Sequence, residues 1–224
     1  MAARQIVKVK ICGLTRLADI DAVNAEMPDY IGFVFANSRR HVSPEQAMEL
    51  RERLRAGIIP VGVFVDALPG FILALAQGGT IEAVQLHGAE SEEYIRRIKA
   101  LTGKPVIKAI SVQNEGDVQA WSHSSSDYLL LDGKSGGSGE KFNWDLIGTG
   151  HGDPPGITPI SLSGVAPVAK PFFLAGGLNP GNVAEAIAKT APYAVDVSGG
   201  VETDGVKDVY KIKEFIRAAR KCCN

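Results

Sequence analysis

Apolar residues along this chain gather in short β-branched runs separated by longer amphipathic stretches. The runs are Ile6 to Cys12, Tyr30 to Phe35, Ile58 to Val65, Ala83 to Leu86, Val106 to Ile110, Tyr128 to Leu131, Phe172 to Ala175 and Tyr193 to Val197. Their length and β-branched content predict eight strands. Between them, apolar residues recur at helical spacing: Leu17, Ile20, Val23; Ala47, Leu50, Leu54; Ile95, Ile98, Leu101; Val183, Ala186, Ile187; and Val209, Ile212, Ile216. Ser43-Pro44-Glu45-Gln46 has a capping serine, proline at the first helical position and a capping-box glutamine, and Asn179-Pro180 repeats the cap-plus-proline device. Successive strand ends are 23, 30, 21, 24, 21, 44 and 22 residues apart. One strand–helix unit is being repeated. Such alternation predicts parallel βαβ units, and eight of them suit a closed (β/α)8 barrel of the α/β class. An open doubly wound sheet is the alternative, but Cys12-Gly13-Leu14-Thr15 stands where its Gly-x-Gly-x-x-Gly turn belongs. The 44-residue step contains Gly148 to Lys170, with five glycines and four prolines in 23 residues. That density predicts a sixth helix truncated or replaced by irregular chain, with at most a short turn around Trp144 to Ile147.

Composition narrows the class. The 224 residues carry 24 basic and 25 acidic side chains and are 45% hydrophobic, as in an ordinary globular protein. That length fits a single barrel domain over residues 1–224. A net charge of −1 gives no general field for nucleic acid or an anionic membrane, so an anionic ligand must be held by a local arrangement of groups. No apolar run reaches the roughly 18 to 20 residues that span a bilayer, and Met1 to Gln5 is too short for a targeting peptide. A cytoplasmic location is expected. Cys12, Cys222 and Cys223 make neither a disulfide framework nor a zinc-site spacing.

In a barrel of this kind the chemistry sits on the loops that follow the strands. Val7, Val9 and Ile11 alternate with Lys8, Lys10 and Cys12, which directs Lys10 and Cys12 inward and puts Cys12 at the active mouth. A thiol there, two residues above a lysine, suits a base or nucleophile, although a free cysteine is as often a small buried hydrophobe. Asp132 ends the sixth strand and opens Gly133-Lys134-Ser135-Gly136-Gly137-Ser138-Gly139, a loop with four glycines in seven residues. Its carboxyl is placed for proton transfer or for a simple turn cap. Gly176-Gly177 follows strand seven and Ser198-Gly199-Gly200 follows strand eight, the two positions where barrels frequently bind phosphate through backbone N–H groups. Arg40, in Asn37-Ser38-Arg39-Arg40-His41 after strand two, is a candidate carboxylate clamp or an ordinary solvated arginine. His87 lies near the mouth after strand four, and Asp196 is a carboxyl inside an apolar strand that needs a partner or a role. Cys222 and Cys223 fall on a terminal surface helix.

These motifs together are similar to phosphoribosylanthranilate isomerases of tryptophan biosynthesis. The resemblance rests on Lys10-Ile11-Cys12-Gly13-Leu14-Thr15, Gly32-Phe33-Val34-Phe35, Arg40-His41-Val42-Ser43-Pro44-Glu45, Val61-Gly62-Val63-Phe64-Val65 and Gln85-Leu86-His87-Gly88. It continues through Gly137-Ser138-Gly139 with Phe142-Asn143-Trp144, Ala175-Gly176-Gly177-Leu178-Asn179-Pro180, and Asp196-Val197-Ser198 with Gly200-Val201-Glu202, so it runs in order from about residue 6 to 217. It implies a (β/α)8 barrel that isomerises N-(5-phosphoribosyl)anthranilate to the 1-deoxyribulose phosphate without metal or organic cofactor. The cysteine matching Cys12 is the family's general base, the aspartate matching Asp132 its general acid, and the arginine matching Arg40 its contact to the anthranilate part. Gly137, Gly139, Gly176, Gly177, Asp196, Ser198 and Gly199 are the remaining substrate-binding candidates. Two departures stand out: Asn143 where the family commonly has aspartate, and Gly199 where it commonly has serine. The second removes a hydroxyl and keeps the backbone donor.

The implied Amadori chemistry needs an acid to open the furanose ring and a base to take the C2′ proton. Asp132 must then be protonated near neutrality and Cys12 must have thiolate character, aided by Lys10. Expected partners are a small phosphosugar and no nucleic acid or membrane, with a monomer or weak homodimer as the working unit. Other phosphosugar barrel enzymes would share loops seven and eight but not the Cys12/Asp132 pair, and a non-catalytic phosphosugar-binding protein would bind without turnover.

Overall fold

The computed structural model describes residues 7–133, 143–147, 168 and 170–221. Its eight principal strands are β1 (Lys8–Cys12), β2 (Tyr30–Val34), β3 (Ile59–Phe64), β4 (Ala83–Leu86), β5 (Val106–Ser111), β6 (Tyr128–Asp132), β7 (Phe172–Leu174) and β8 (Ala194–Val197). They run in chain order around a closed parallel barrel, each within two residues of its predicted bounds. Helices α1 (Leu17–Glu26), α2 (Pro44–Glu52), α3 (Pro69–Gln77), α4 (Glu92–Thr102), α5 (Glu115–Ala120), α6 (Val183–Thr190) and α7 (Val209–Lys221) alternate with them. Between β6 and β7 the described residues hold only a 3-10 turn at Trp144–Leu146, the short turn that the glycine and proline content left room for. Residues 134–142, 148–167 and 169 of that step lie outside the described residues, as do Cys222 and Cys223.

By packing, the chain falls into two compact units, residues 10–109 with 124–128, and residues 1–9 with 110–123 and 129–224. In the first, β1 to β5 pair in register with Cys12 opposite Gly32, Val63 opposite Gln85 and Leu86 opposite Lys108. Fully buried Ile11, Ile31, Phe33, Val61, Val84, Ile95 and Ile98 form its core. In the second, Leu129, Leu130 and Leu131 pair with Phe172, Phe173 and Leu174, and Phe215, Ile212 and Ile216 of α7 are buried. Burying such side chains contributes about 1.5–3 kcal/mol each.

Several local expectations are corrected. Ser43 caps α2, its Oγ accepting from Gln46 N at 3.2 Å, but the Gln46 side chain does not close a capping box. Its Nε2 instead donates to Thr15 O at 2.7 Å, tying α2 to the loop after β1. Asn179-Pro180 opens a turn, Asn179 Oδ1 accepting from Gly181 N, and Asn182 occupies the cap position of α6. Leu101 and Val209 stand at helical spacing yet are 43% and 49% exposed, being the last-turn and first-turn residues of their helices. Helices α3 and α5 carry no legible period: the six residues Phe71 to Ala76 are uniformly apolar, and α5 is only six residues long.

Candidate active site

The loop after β1 follows Cys12, which ends the strand, is in no disulfide and is 7% exposed. Asp19 organises that loop: its carboxylate accepts from Thr15 N and Arg16 N, both at 3.0 Å, and pairs with the Arg16 guanidinium at 2.6 Å. Two residues before Cys12, Lys10 is completely buried and its Nζ donates to Gln85 Oε1 at 2.8 Å. Strands β2 and β3 separate β1 from β4, so this bond crosses the concave side of the sheet, and Lys10 points inward as its alternation required. Gln85 carries the contact onward through Nε2 to His87 Nδ1 at 2.9 Å. An ammonium can only donate, so the Gln85 oxygen must face Lys10 and its NH2 must face the imidazole. Nδ1 of His87 is therefore an acceptor, and the neutral ring carries its proton on Nε2. Gln85 is the residue that sequence reasoning missed here; an amide within an apolar strand was its only signal.

A second buried polar cluster holds the loops after β3 and β4. Lys108 Nζ pairs with Glu90 Oε2 at 2.7 Å, both side chains nearly inaccessible, and also donates to Gly88 O. Glu90 accepts from the N–H groups of Asp66 and Gly88, while Asp66 Oδ1 accepts from Ala89 N. His87 N donates to Phe64 O, so the histidine is held by backbone as well as side chain. Nothing in the spacing of Lys108 and Glu90 announced this pair.

Arg40 is half-buried in the loop after β2, where its N–H donates to Ser38 Oγ. Beside that loop, Phe35 stacks on Phe64 with centroids 5.2 Å apart, and Phe71 meets both rings edge-on. Phe35, Ala36, Asn37, Val65, Leu68 and Phe71 are among the residues that line a cavity of about 450 Å³. Its walls suit an aromatic ring.

In the other unit, Asp132 ends β6, is 7% exposed and accepts from Gly133 N through Oδ1 at 2.8 Å. The loop after β7 turns through Gly176 and Gly177 at φ +82° and +65°, backbone that glycine adopts without penalty. Asn182 Nδ2 donates to Gly177 O and Asn179 N to Asn182 Oδ1, fixing this turn against the start of α6. Asp196 is buried inside β8, and after the strand Ser198 leads into a 3-10 turn at Gly199–Val201. A Cβ on Gly200 would stand 1.8 Å from Leu178 O, so the loops after β7 and β8 touch through bare backbone. Gly137 and Gly139 lie outside the described residues. Among the described residues, no group of three or more His, Cys, Asp or Glu could hold a metal ion, and no helix is long and apolar enough to cross a membrane.

Comparison with known proteins gives the same picture over nearly the whole chain. A protein named N-(5′-phosphoribosyl)anthranilate isomerase from Endomicrobium trichonymphae is 43% identical over 217 residues, covering 95% of this chain and 98% of its own length. A crystal structure of phosphoribosyl anthranilate isomerase in complex with reduced 1-(o-carboxyphenylamino)-1-deoxyribulose 5-phosphate is similar with a TM-score of 0.78 at 37% identity, covering 96% and 99% of the two chains. So is a structure of monomers generated from the dimeric enzyme of Thermotoga maritima, with a TM-score of 0.77, 37% identity and the same coverage. The family model described as N-(5′-phosphoribosyl)anthranilate (PRA) isomerase matches residues 9–218, from within β1 to the last turns of α7. A match that takes in every strand of the barrel, with relatives at this level of identity, means that the chain belongs to the phosphoribosylanthranilate isomerase family, the aldose–ketose isomerases of tryptophan biosynthesis.

Proposed function

We propose that Cys12 is the general base and Asp132 the general acid of the isomerisation of N-(5′-phosphoribosyl)anthranilate. The observation that carries this reading is the pair of strand ends: a buried thiol closing β1 and a buried carboxyl closing β6. In this assignment the Asp132 carboxylic acid protonates the furanose ring oxygen. The C1′–O bond breaks as the anthranilate nitrogen lone pair forms a C1′=N⁺ bond. The Cys12 thiolate then removes the C2′ proton, and the C–H electrons become the C1′=C2′ bond of a neutral enolamine that tautomerises to the ketone. Lys10, buried two residues below Cys12, supplies positive charge on the thiolate side.

Binding is assigned to the groups around these two. Arg40 takes the anthranilate carboxylate, and the apolar cavity beside its loop takes the ring. Backbone N–H groups of Gly176, Gly177, Ser198 and Gly199 take the phosphate, with Asp196 at its strand end and Gly137 and Gly139 contributed from the loop after β6. Grip at both ends of the substrate serves orientation of the reacting carbons. Residues 1–224 are read as one barrel domain, working in the cytoplasm as a monomer or weak homodimer on a small phosphosugar, with no nucleic acid or membrane partner. Loss of phosphoribosylanthranilate fluorescence on adding the chain tests the function, and binding without turnover would make it a phosphosugar carrier.

A further inference from the structure

Lys207 ends the second strand of a small hairpin, β9 (Glu202–Thr203) paired antiparallel with β10 (Val206–Lys207), just after the 3-10 turn that follows β8. Its side chain is 2% exposed and that of its partner Glu202 is 5% exposed. Nζ donates to Glu202 Oε1 at 2.7 Å, to Ser198 O at 3.0 Å and to Ser198 Oγ at 3.3 Å. These three contacts go to one carboxylate and to two atoms of a single residue in the loop after β8. A buried ion pair is weak evidence for stability, because desolvation offsets the Coulomb attraction. What this one does locally follows from where it points.

The Ser198–Gly199 peptide is planar, and there is no cis bond among the described residues. In a trans peptide the C=O and the following N–H point to opposite sides. A cation that holds Ser198 O from one side therefore directs Gly199 N–H to the other, and polarisation of the carbonyl strengthens that N–H as a donor. We infer that Lys207, anchored by Glu202, is a positioning residue for the substrate phosphate: it sets the plane of the Ser198–Gly199 peptide without touching the phosphate itself. This rests on the assignment of the loops after β7 and β8 to the phosphate. Glycine at 199 offers no hydroxyl and contributes its amide alone; Ser198 O already accepts from Val201 N within the turn at 3.4 Å, and the ammonium at 3.0 Å adds a second, charged hold on the same carbonyl. The hairpin that carries Lys207 is itself fixed, Asp208 N donating to Val201 O and Thr203 Oγ1 to Asp208 Oδ2.

The test is inorganic phosphate binding to the full chain, read by the ¹⁵N-resolved amide of Gly199 and by competitive inhibition of turnover. In the unaltered protein phosphate should compete with substrate and shift the Gly199 amide; if it does neither, the loop assignment fails. Given that it does, Lys207→Met should weaken phosphate binding at least about tenfold and raise KM similarly, with kcat within about threefold, because a phosphate grip acts on ground and transition states alike. Unchanged phosphate affinity in Lys207→Met overturns the proposal. Arg217→Met removes an equal charge from α7, where the guanidinium faces Glu214 at 3.6 Å, and should change affinity less than about threefold. An equal loss there would make the effect one of net charge and overturn the proposal too. Should Lys207→Met not fold, Lys207→Met/Glu202→Gln leaves no orphaned charge and carries the same expectation.

Discussion

The sulfur of Cys12 occupies the space that a side chain at residue 32 would need. Gly32 pairs with Cys12 across β1 and β2, and a Cβ built on Gly32 would lie 2.6 Å from Sγ and 3.2 Å from the Cys12 Cα. Non-bonded contact requires about 3.5–4.0 Å, so the thiol keeps its position only opposite a glycine.

Gly32→Ala should therefore displace the thiol and lower kcat at least about tenfold in a variant that still gives a folded circular dichroism spectrum. Alkylation by iodoacetamide gives a direct readout. In the unaltered chain it should inactivate through Cys12 with protection by a product analogue, whereas Cys222 and Cys223 react without loss of activity. Gly32→Ala should change the alkylation rate. Unaltered turnover and alkylation would mean that the thiol position is not set by Gly32.

Cys12→Ala and Asp132→Asn should each lower kcat at least about a hundredfold while phosphate-ligand affinity stays within a fewfold, since each removes a proton-transfer group and leaves the binding loops alone. Steady-state kinetics with phosphate-ester inhibition decides it. Near-normal turnover in either variant would sink the two-residue mechanism.

Arg40→Ala should act chiefly on KM, because a carboxylate clamp is made equally before and in the transition state. An increase of about tenfold with little change in kcat is expected. An unaltered KM would return Arg40 to the solvated surface.

Lys108→Met strands the Glu90 carboxylate, which is buried between the loops after β3 and β4. Leaving such a charge uncompensated costs about 3–5 kcal/mol, so urea denaturation should show a loss of that order. Lys108→Met/Glu90→Gln should recover part of it. A single variant as stable as the parent would show that water reaches Glu90.

Asp208 precedes α7, its Oδ1 accepting from Tyr210 N and Lys211 N. The Thr203 hydroxyl, followed by the Lys211 N–H, holds its carboxyl below the usual carboxylate range. A depressed folded-state pKa contributes stability above the ordinary value of about 4, and that contribution is lost as pH falls through the lower folded value. Asp208→Asn should consequently flatten the acid limb of the stability–pH curve relative to the parent, measured as urea midpoints at successive pH values. An identical acid limb would refute the assignment.

Strand positions were legible because each buried strand of a parallel barrel is a compact apolar run bounded by turn residues, as in Tyr128 to Leu131 before Asp132. Strand-end positions were legible as well: Cys12, Asp132, Gly176 and Ser198 stand at or just after the ends of β1, β6, β7 and β8, where that one rule places loop residues. What escaped depends on pairing between distant segments. Helix α3 was hidden because Phe71 to Ala76 has no polar face to mark a period, and Gln46 reached Thr15 instead of its own helix end. Lys10–Gln85, Lys108–Glu90 and the Lys207 latch each join segments whose meeting is set by tertiary register, which no local pattern encodes. Gly32 was visible as a letter in a strand, while its necessity comes from the residue facing it.

The bare-backbone approach of Gly200 to Leu178 O gives the two adjacent glycines unequal evolutionary freedom. Serine, common in the family at the position of Gly199, leaves the proposed phosphate amide in place. Position 200 offers no such route. Any side chain there would part the two turns to which the phosphate is assigned. If that assignment holds, a change of phosphorylated substrate has to be accommodated at 199 or on neighbouring loops, with 200 left as it stands.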